Sequence, residues 1–166
     1  MDKLPRIYCD MDGVLCDFKS AAIKTTGMPI DKWMENDSEL DKWKPIIDKK
    51  DFWYNLPWQP GGQQLWSYIN NYQPHILSAY VEKAADPNCI PGKRSWAVSH
   101  LGIPANRINL VKRKEKQNYA KVNGEPSLLI DDYIKNINQF KARGGIGILH
   151  TSAANTISQL KKLGFK

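Results

Sequence analysis

Asp10 and Asp12 stand two residues apart in Asp10-Met11-Asp12-Gly13-Val14-Leu15, directly after the β-rich run from Arg6 to Asp10. Where a strand gives way to a tight turn, both carboxylates can face one site, and Gly13 lets the backbone turn closely. Such a pair allows one carboxylate to be a nucleophile toward phosphorus while the other handles protons. Two negative groups this close also need a cation, and Mg2+ takes one or two carboxylates together with phosphate oxygens and water. Taken alone, the tetrapeptide is equally compatible with an Asx-type turn and solvated carboxylates.

Three further places carry polar groups that could serve the same chemistry. Leu128-Leu129-Ile130-Asp131-Asp132 puts acids at the end of another apolar run. There a third carboxylate could complete a Mg2+ site, or an Asp could cap the helix that begins near Tyr133. Ser78 ends Ile76-Leu77-Ser78 and could hold a phosphoryl oxygen, or simply start a turn. Lys93, beside Arg94, lies near the start of a helix, where a cation opposes the helix dipole unless an anion is nearby.

These residues need a scaffold that gathers strand ends. Arg6–Asp10, His75–Ala79, Ile108–Val111, Ser127–Asp131 and Gly145–His150 are short apolar runs bounded by turn formers, as expected of strands buried on both faces. Amphipathic segments separate them: Gly62–Tyr72, Lys93–Leu101, Glu115–Val122, Tyr133–Arg143 and Ala153–Leu163. This alternation predicts an α/β fold, a parallel sheet with helices on both faces, whose ligands bind beyond the carboxyl ends of the strands. Residues 17–59 break the rhythm, with no convincing strand and six large aromatics between Trp33 and Trp58. A structureless loop of that length is unusual in a compact domain, so this stretch is expected to be a small helical cap over the first strand. The division is then a core of residues 1–16 and 60–166 and a cap of residues 17–59.

At 166 residues, 42% hydrophobic and 25% charged, the chain has one domain's worth of core and an ordinary water-facing surface, which excludes fibrous and disordered classes. No apolar run approaches the ~20 residues of a membrane span. The first residues lack the apolar stretch of a secretory leader. Cys9, Cys16 and Cys89 form no C-x-x-C pair and are expected to be reduced thiols in the cytoplasm; the scattered His75, His100 and His150 argue against zinc. The net charge of +7 suits phosphorylated partners without naming one.

In chain order, Asp-x-Asp-Gly-x-Leu, a strand-end Ser, a Lys and a strand-end Asp-Asp resemble the four motifs of the haloacid dehalogenase superfamily. Asp10 to Phe18, Phe52 to Pro57, Lys93 to Trp96 and Leu128 to Asp132 look like its 5'(3')-deoxyribonucleotidase branch. The resemblance runs from about Ile7 to His150 and implies a Rossmann-like core with a helical cap. It implies that Asp10 attacks phosphorus and becomes an aspartyl-phosphate, while Asp12 protonates the leaving alkoxide and then deprotonates water. It implies Mg2+ held by the Asp10 carboxylate, the Asp12 carbonyl and Asp131, with Asp132 behind, and phosphoryl oxygens bound by Ser78 and Lys93. Phe18, Phe52 and Trp53 would line a base pocket, or else only the core of the cap; Trp33, Trp43 and Trp58 are expected to pack the cap. Ser78 departs from the family's Thr and is followed by Ala79 and Tyr80. The branch carries a further phosphate-side lysine, for which Lys114 and Lys116 both qualify, and a solvated charged loop is an equal reading of that run.

The expected function is a Mg2+-dependent phosphomonoesterase acting on (deoxy)nucleoside monophosphates. The alternatives are a phosphatase of nucleic-acid ends or of another small phosphorylated metabolite, and a non-catalytic binding protein on the same scaffold. The expected partner is a small nucleotide, not a membrane or nucleic acid, and a homodimer is left open.

Overall fold

A computed structural model describes residues 3–82 and 84–166. Five parallel strands form one sheet: β1 (Ile7–Cys9), β2 (His75–Ala79), β3 (Ile108–Val111), β6 (Leu128–Asp131) and β7 (Ile146–Leu149), in the order β3-β2-β1-β6-β7. A two-stranded antiparallel hairpin, β4 (Lys121–Val122) and β5 (Glu125–Pro126), stands apart from it. The chain runs outward from β1 through β2 to β3, then crosses back to place β6 on the other side of β1. The strand order therefore reverses at β1, and the crevice at its carboxyl end is the natural place for a ligand.

Burial explains the parallel sheet. In β1, Ile7 and Cys9 join one core cluster and Tyr8 the other; β6 does the same with Leu128 and Ile130 against Leu129. Successive side chains point to opposite faces, and because both faces are covered the strands read as continuous apolar runs. One face is covered by α4 (Gly62–Ile69), α5 (Cys89–Leu101) and α7 (Ala153–Lys162), through Leu65, Trp96 and Leu160 among others. The opposite face is covered by α6 (Ile134–Ala142), through Ile137 and Phe140.

Between β1 and β2 lie α1 (Phe18–Thr26), α2 (Ile30–Met34) and α3 (Glu39–Asp48). Asp17 caps α1 by accepting from Ser20 N at 3.0 Å, and Ser38 caps α3 by accepting from Asp41 N at 3.3 Å. The two ends of this helical stretch meet at a narrow neck. Asp17 N donates to Pro57 O at 2.8 Å, Gln59 N donates to Leu15 O at 2.8 Å, and Cys16 bridges Trp58.

The helix expected over Glu115–Val122 does not form. Arg113–Tyr119 is a 3-10 helix, and the chain then turns into the β4–β5 hairpin. Asn123 and Gly124, at φ 53° and 80°, supply the two left-handed residues of a tight hairpin turn, a local signal that outweighs the helical spacing. The three cysteines are buried free thiols, and burial raises the pKa of each.

Candidate active site

The ladder register places the acids. Cys9 pairs with Ile130, and Asp10 N extends the ladder by donating to Ile130 O at 2.9 Å, so Asp10 leaves β1 alongside Asp131 at the end of β6. Carboxylate oxygens of Asp10, Asp131 and Asp132 lie within 4.8 Å of one another. Asp10 and Asp131 are buried, whereas Asp132 is exposed. After Asp10 the backbone closes on itself: Val14, Leu15 and Cys16 all donate to Met11 O. Gly13 makes this possible at φ 81°, and a Cβ there would sit 2.0 Å from Asp132 Oδ2. Gly13→Ala is therefore expected to strain the turn and displace Asp132. The outcome to measure is a loss of thermal stability together with a Mg2+ affinity at least about tenfold weaker by calorimetry.

Two buried lysines flank the acids on opposite sides. Lys93, in the first turns of α5, donates to Asp12 Oδ2 at 2.8 Å, Ser78 Oγ at 3.0 Å and Ala79 O at 2.7 Å, which uses all three ammonium hydrogens. Gly92 lets α5 come this close, since a Cβ there would lie 2.5 Å from Trp53 Cβ. Burial is the largest single influence and would lower the Lys93 pKa, but the charge and hydrogen bond of Asp12 together with Cys89 and Asp10 outweigh it and the net shift is upward. Lys116, on the 3-10 helix, reaches Asp131 Oδ2 at 2.8 Å and Asp10 Oδ1 at 3.2 Å. Asp131 is held further by Tyr133 N on Oδ1 at 2.9 Å and Asn136 Nδ2 on Oδ2 at 3.1 Å. Lys114 and Arg94 are exposed.

The oxygens left over are informative. Asp10 Oδ1 accepts from Met11 N at 2.8 Å and faces Lys116, while Oδ2 accepts no hydrogen bond among the described residues. Asp12 Oδ1 is buried without a partner. A buried carboxylate oxygen with nothing to accept from is costly unless an O–H arrives there.

Above the acids opens a cleft of about 1120 Å3, bounded by Phe18, Trp33, Trp43 and Trp53 on the helical side. Phe18 stacks on Trp53 at 5.6 Å and 15°, and Trp33 meets Trp43 edge-on at 4.9 Å. Trp53 is fixed by its indole N–H on Asp86 Oδ2 at 2.8 Å. Phe52 packs edge-on to Trp53 and does not border the cleft. Trp58 packs instead against Trp96 in the core. A second hollow, about 560 Å3 between α4 and α7, is bordered by Gln64, Ile157, Ser158 and Lys161 and has no carboxylate in its lining.

No family model and no curated protein sequence matches the chain. Solved structures do match. L-2-haloacid dehalogenase from Xanthobacter autotrophicus superposes with a TM-score of 0.57 at 14% identity, over 96% of this chain and 83% of that one. A hydrolase from Streptococcus pneumoniae TIGR4 gives 0.55 at 13% identity, over 96% and 100%. CbbY from Rhodobacter sphaeroides, in complex with phosphate, gives 0.50 at 14% identity, over 87% and 85%. The fold is that of the haloacid dehalogenases.

On this haloacid dehalogenase fold, Asp10, Asp12, Ser78, Lys93, Asp131 and Asp132 all border one cleft, together with Phe18 and Trp53. Phe52 and Lys114 are the candidates that do not border it. Lys116, Trp33 and Trp43 do reach it. Lys116 was one of two lysines qualified by the sequence; nothing in the chain's apolar spacing distinguishes a cleft-facing tryptophan from one inside the cap.

The crowding of acids has a measurable consequence. Asp10 is pushed up to about 8, first by burial, then by Asp131, against the opposing pull of Lys116. A carboxyl raised in the folded state stabilises it while protonated, and that contribution disappears as pH rises through about 8. His75 is lowered to about 4 by burial and by Arg6 and Arg107, so its contribution is complete above the ordinary histidine value of 6.5. Between pH 6.5 and 8, metal-free protein is expected to lose stability with rising pH, by at most about 1.4 kcal/mol per pH unit for one proton. Urea melts in chelator across that range measure the slope, and Asp10→Asn should flatten it.

Proposed function

We propose that the protein is a Mg2+-dependent phosphomonoesterase acting on (deoxy)nucleoside monophosphates, with Asp10 as the nucleophile. The observation that carries this reading is the meeting of Asp10, Asp131 and Asp132 oxygens within 4.8 Å at the floor of a cleft flanked by two buried lysines. Three hard carboxylate donors, one of them exposed, suit Mg2+, which keeps waters and a phosphate oxygen among its ligands. Asp10, Asp131 and Asp132 would hold the ion, which supplies neutralisation of charge on the phosphoryl oxygens.

The residues then divide the work. Asp10 Oδ2, without a hydrogen bond, attacks phosphorus, while Met11 N and Lys116 hold the other oxygen. Asp12 Oδ1 gives a proton to the leaving alkoxide and later takes one from water, and Lys93 on Oδ2 fixes its direction. Ser78 and Lys93 receive phosphoryl oxygens, with Lys93 exchanging one of its internal acceptors for the substrate. Phosphoryl transfer depends mostly on such positioning and charge neutralisation. Residues 17–59 act as a cap, and the half-buried Phe18 and Trp43, backed by the buried Trp53 and Trp33, offer apolar ring surface for a base, worth about 1–3 kcal/mol per stacked base. The cleft is bounded by aromatics and sized for a small molecule, which favours mononucleotides over the nucleic-acid ends that the net charge would also suit.

A panel of nucleoside monophosphates tests this. Phosphate release is expected with Mg2+ and not in EDTA, with mononucleotide rates well above those on a 3'-phosphorylated oligonucleotide. Turnover that persists in EDTA would remove the metal from the reading.

A further inference from the structure

The floor of the cleft uses one member of the basic run 112–116, and the same segment presents a second. A 3-10 helix has three residues per turn, so Arg113 and Lys116 share a face, one turn or about 6 Å apart along the axis. Lys116 reaches the acids, and Arg113 borders the same cleft nearer its mouth. The Arg113 guanidinium carbon lies 4.9 Å from the centroid of the Tyr133 ring, and its backbone N donates to Glu82 at 3.2 Å. Tyr133 is itself anchored, because its N donates to Asp131 Oδ1 at 2.9 Å. Among the described residues the guanidinium takes part in no ion pair and donates no hydrogen bond. On the cap side of the same cleft Lys42 lies 4.7 Å over the Trp33 ring, also without an ion pair among the described residues.

An arginine braced over an aromatic ring, with its donor fork unused among the described residues and bordering a cleft, is arranged for bidentate capture of an oxyanion. The scissile phosphoryl group cannot be that anion, since it is engaged one 3-10 turn deeper by Lys116, Lys93 and Ser78. The acids near the mouth do not occupy the fork either. Glu82 is bonded to the Arg113 backbone, and Glu39 accepts the Trp43 indole N–H at 3.1 Å.

We propose that the cleft prefers phosphomonoesters whose leaving group carries a second phosphate, and that Arg113 is the residue that recognises it. This rests on the nucleotide phosphatase reading and narrows it: a nucleoside 3',5'-bisphosphate is bound in preference to the 5'-monophosphate. Lys42 adds charge on the far side of the ligand.

Binding to the Asp10→Asn protein in Mg2+, measured by calorimetry, tests it with two probes, deoxyadenosine 5'-monophosphate and deoxyadenosine 3',5'-bisphosphate. The bisphosphate is expected to bind about tenfold tighter, the worth of one charge-assisted bidentate contact. Adding Arg113→Ala should bring the ratio of the two affinities close to one, and Arg113→Lys should leave it intermediate, since lysine keeps the charge without the fork. A merely structural role for Arg113 would weaken both probes alike and leave the ratio unchanged. Equal binding of the two probes, or a ratio indifferent to Arg113→Ala, overturns the inference while nucleotide hydrolysis stands. If neither probe binds, both readings fall.

Discussion

Asp10→Asn is expected to abolish phosphate release, by more than about 10^4-fold, while making the metal-free protein more stable above pH 6.5. The first effect follows from removing the carboxylate proposed to attack phosphorus; an amide nitrogen in its place is no nucleophile. The second follows from the crowding described above. Asp10 is a buried acid beside Asp131, and its ionisation opposes folding over this pH range. An asparagine keeps the oxygen that accepts from Met11 N and faces Lys116, and relieves the repulsion. Active sites commonly hold such groups at a cost in stability, so removing one raises stability as it removes activity. Steady-state phosphate release paired with urea melts at pH 7.5 in EDTA measures both effects. An inactive variant that is also less stable would point to a damaged fold and leave the nucleophile unassigned.

The other large effect is expected at Lys116. Lys116→Met should destabilise the metal-free protein by about 3–5 kcal/mol, because it leaves Asp10 and Asp131 buried without their cation. Millimolar Mg2+ should restore much of that loss, since a divalent ion among the same carboxylates supplies the missing charge. Native protein, which has its own ammonium there, should gain less from Mg2+. Chemical denaturation of both proteins with and without Mg2+ makes the comparison. Equal responses to the ion would show that lysine and metal do not share these acids. Activity of Lys116→Met should fall as well, since Lys116 both orients Asp10 and faces the transferring group.

The parts of the molecule legible in the sequence are those fixed by local pattern. The apolar runs ending in Asp10, Ser78 and Asp131 are strands because side chains on both faces are buried, and chemistry at their ends follows from the parallel arrangement. Gly13 and Asp12 are readable for the same reason, as a turn adjoining a strand. The choice between Lys114 and Lys116 was not readable, because it depends on whether the segment winds as an α-helix or a 3-10 helix. Asn123-Gly124 is a local hairpin signal that ends the helical spacing there. The helices of residues 17–59 are legible in the sequence, but the cleft wall they form is not. Phe52 and Trp53 are adjacent, yet only Trp53 borders the cleft, since a partner thirty-three positions away, Asp86, fixes its ring.

The buried thiols give this protein an internal clock. Cys9 adjoins Asp10, Cys16 closes the neck of the helical stretch, and Cys89 begins the helix that carries Lys93. Each is held protonated by its surroundings and sealed from reagent, so alkylation waits for the chain to open. Labelling at Cys16 reports on separation of the neck, labelling at Cys9 on rupture of the central sheet, and the ratio of the two rates tells which breathes first.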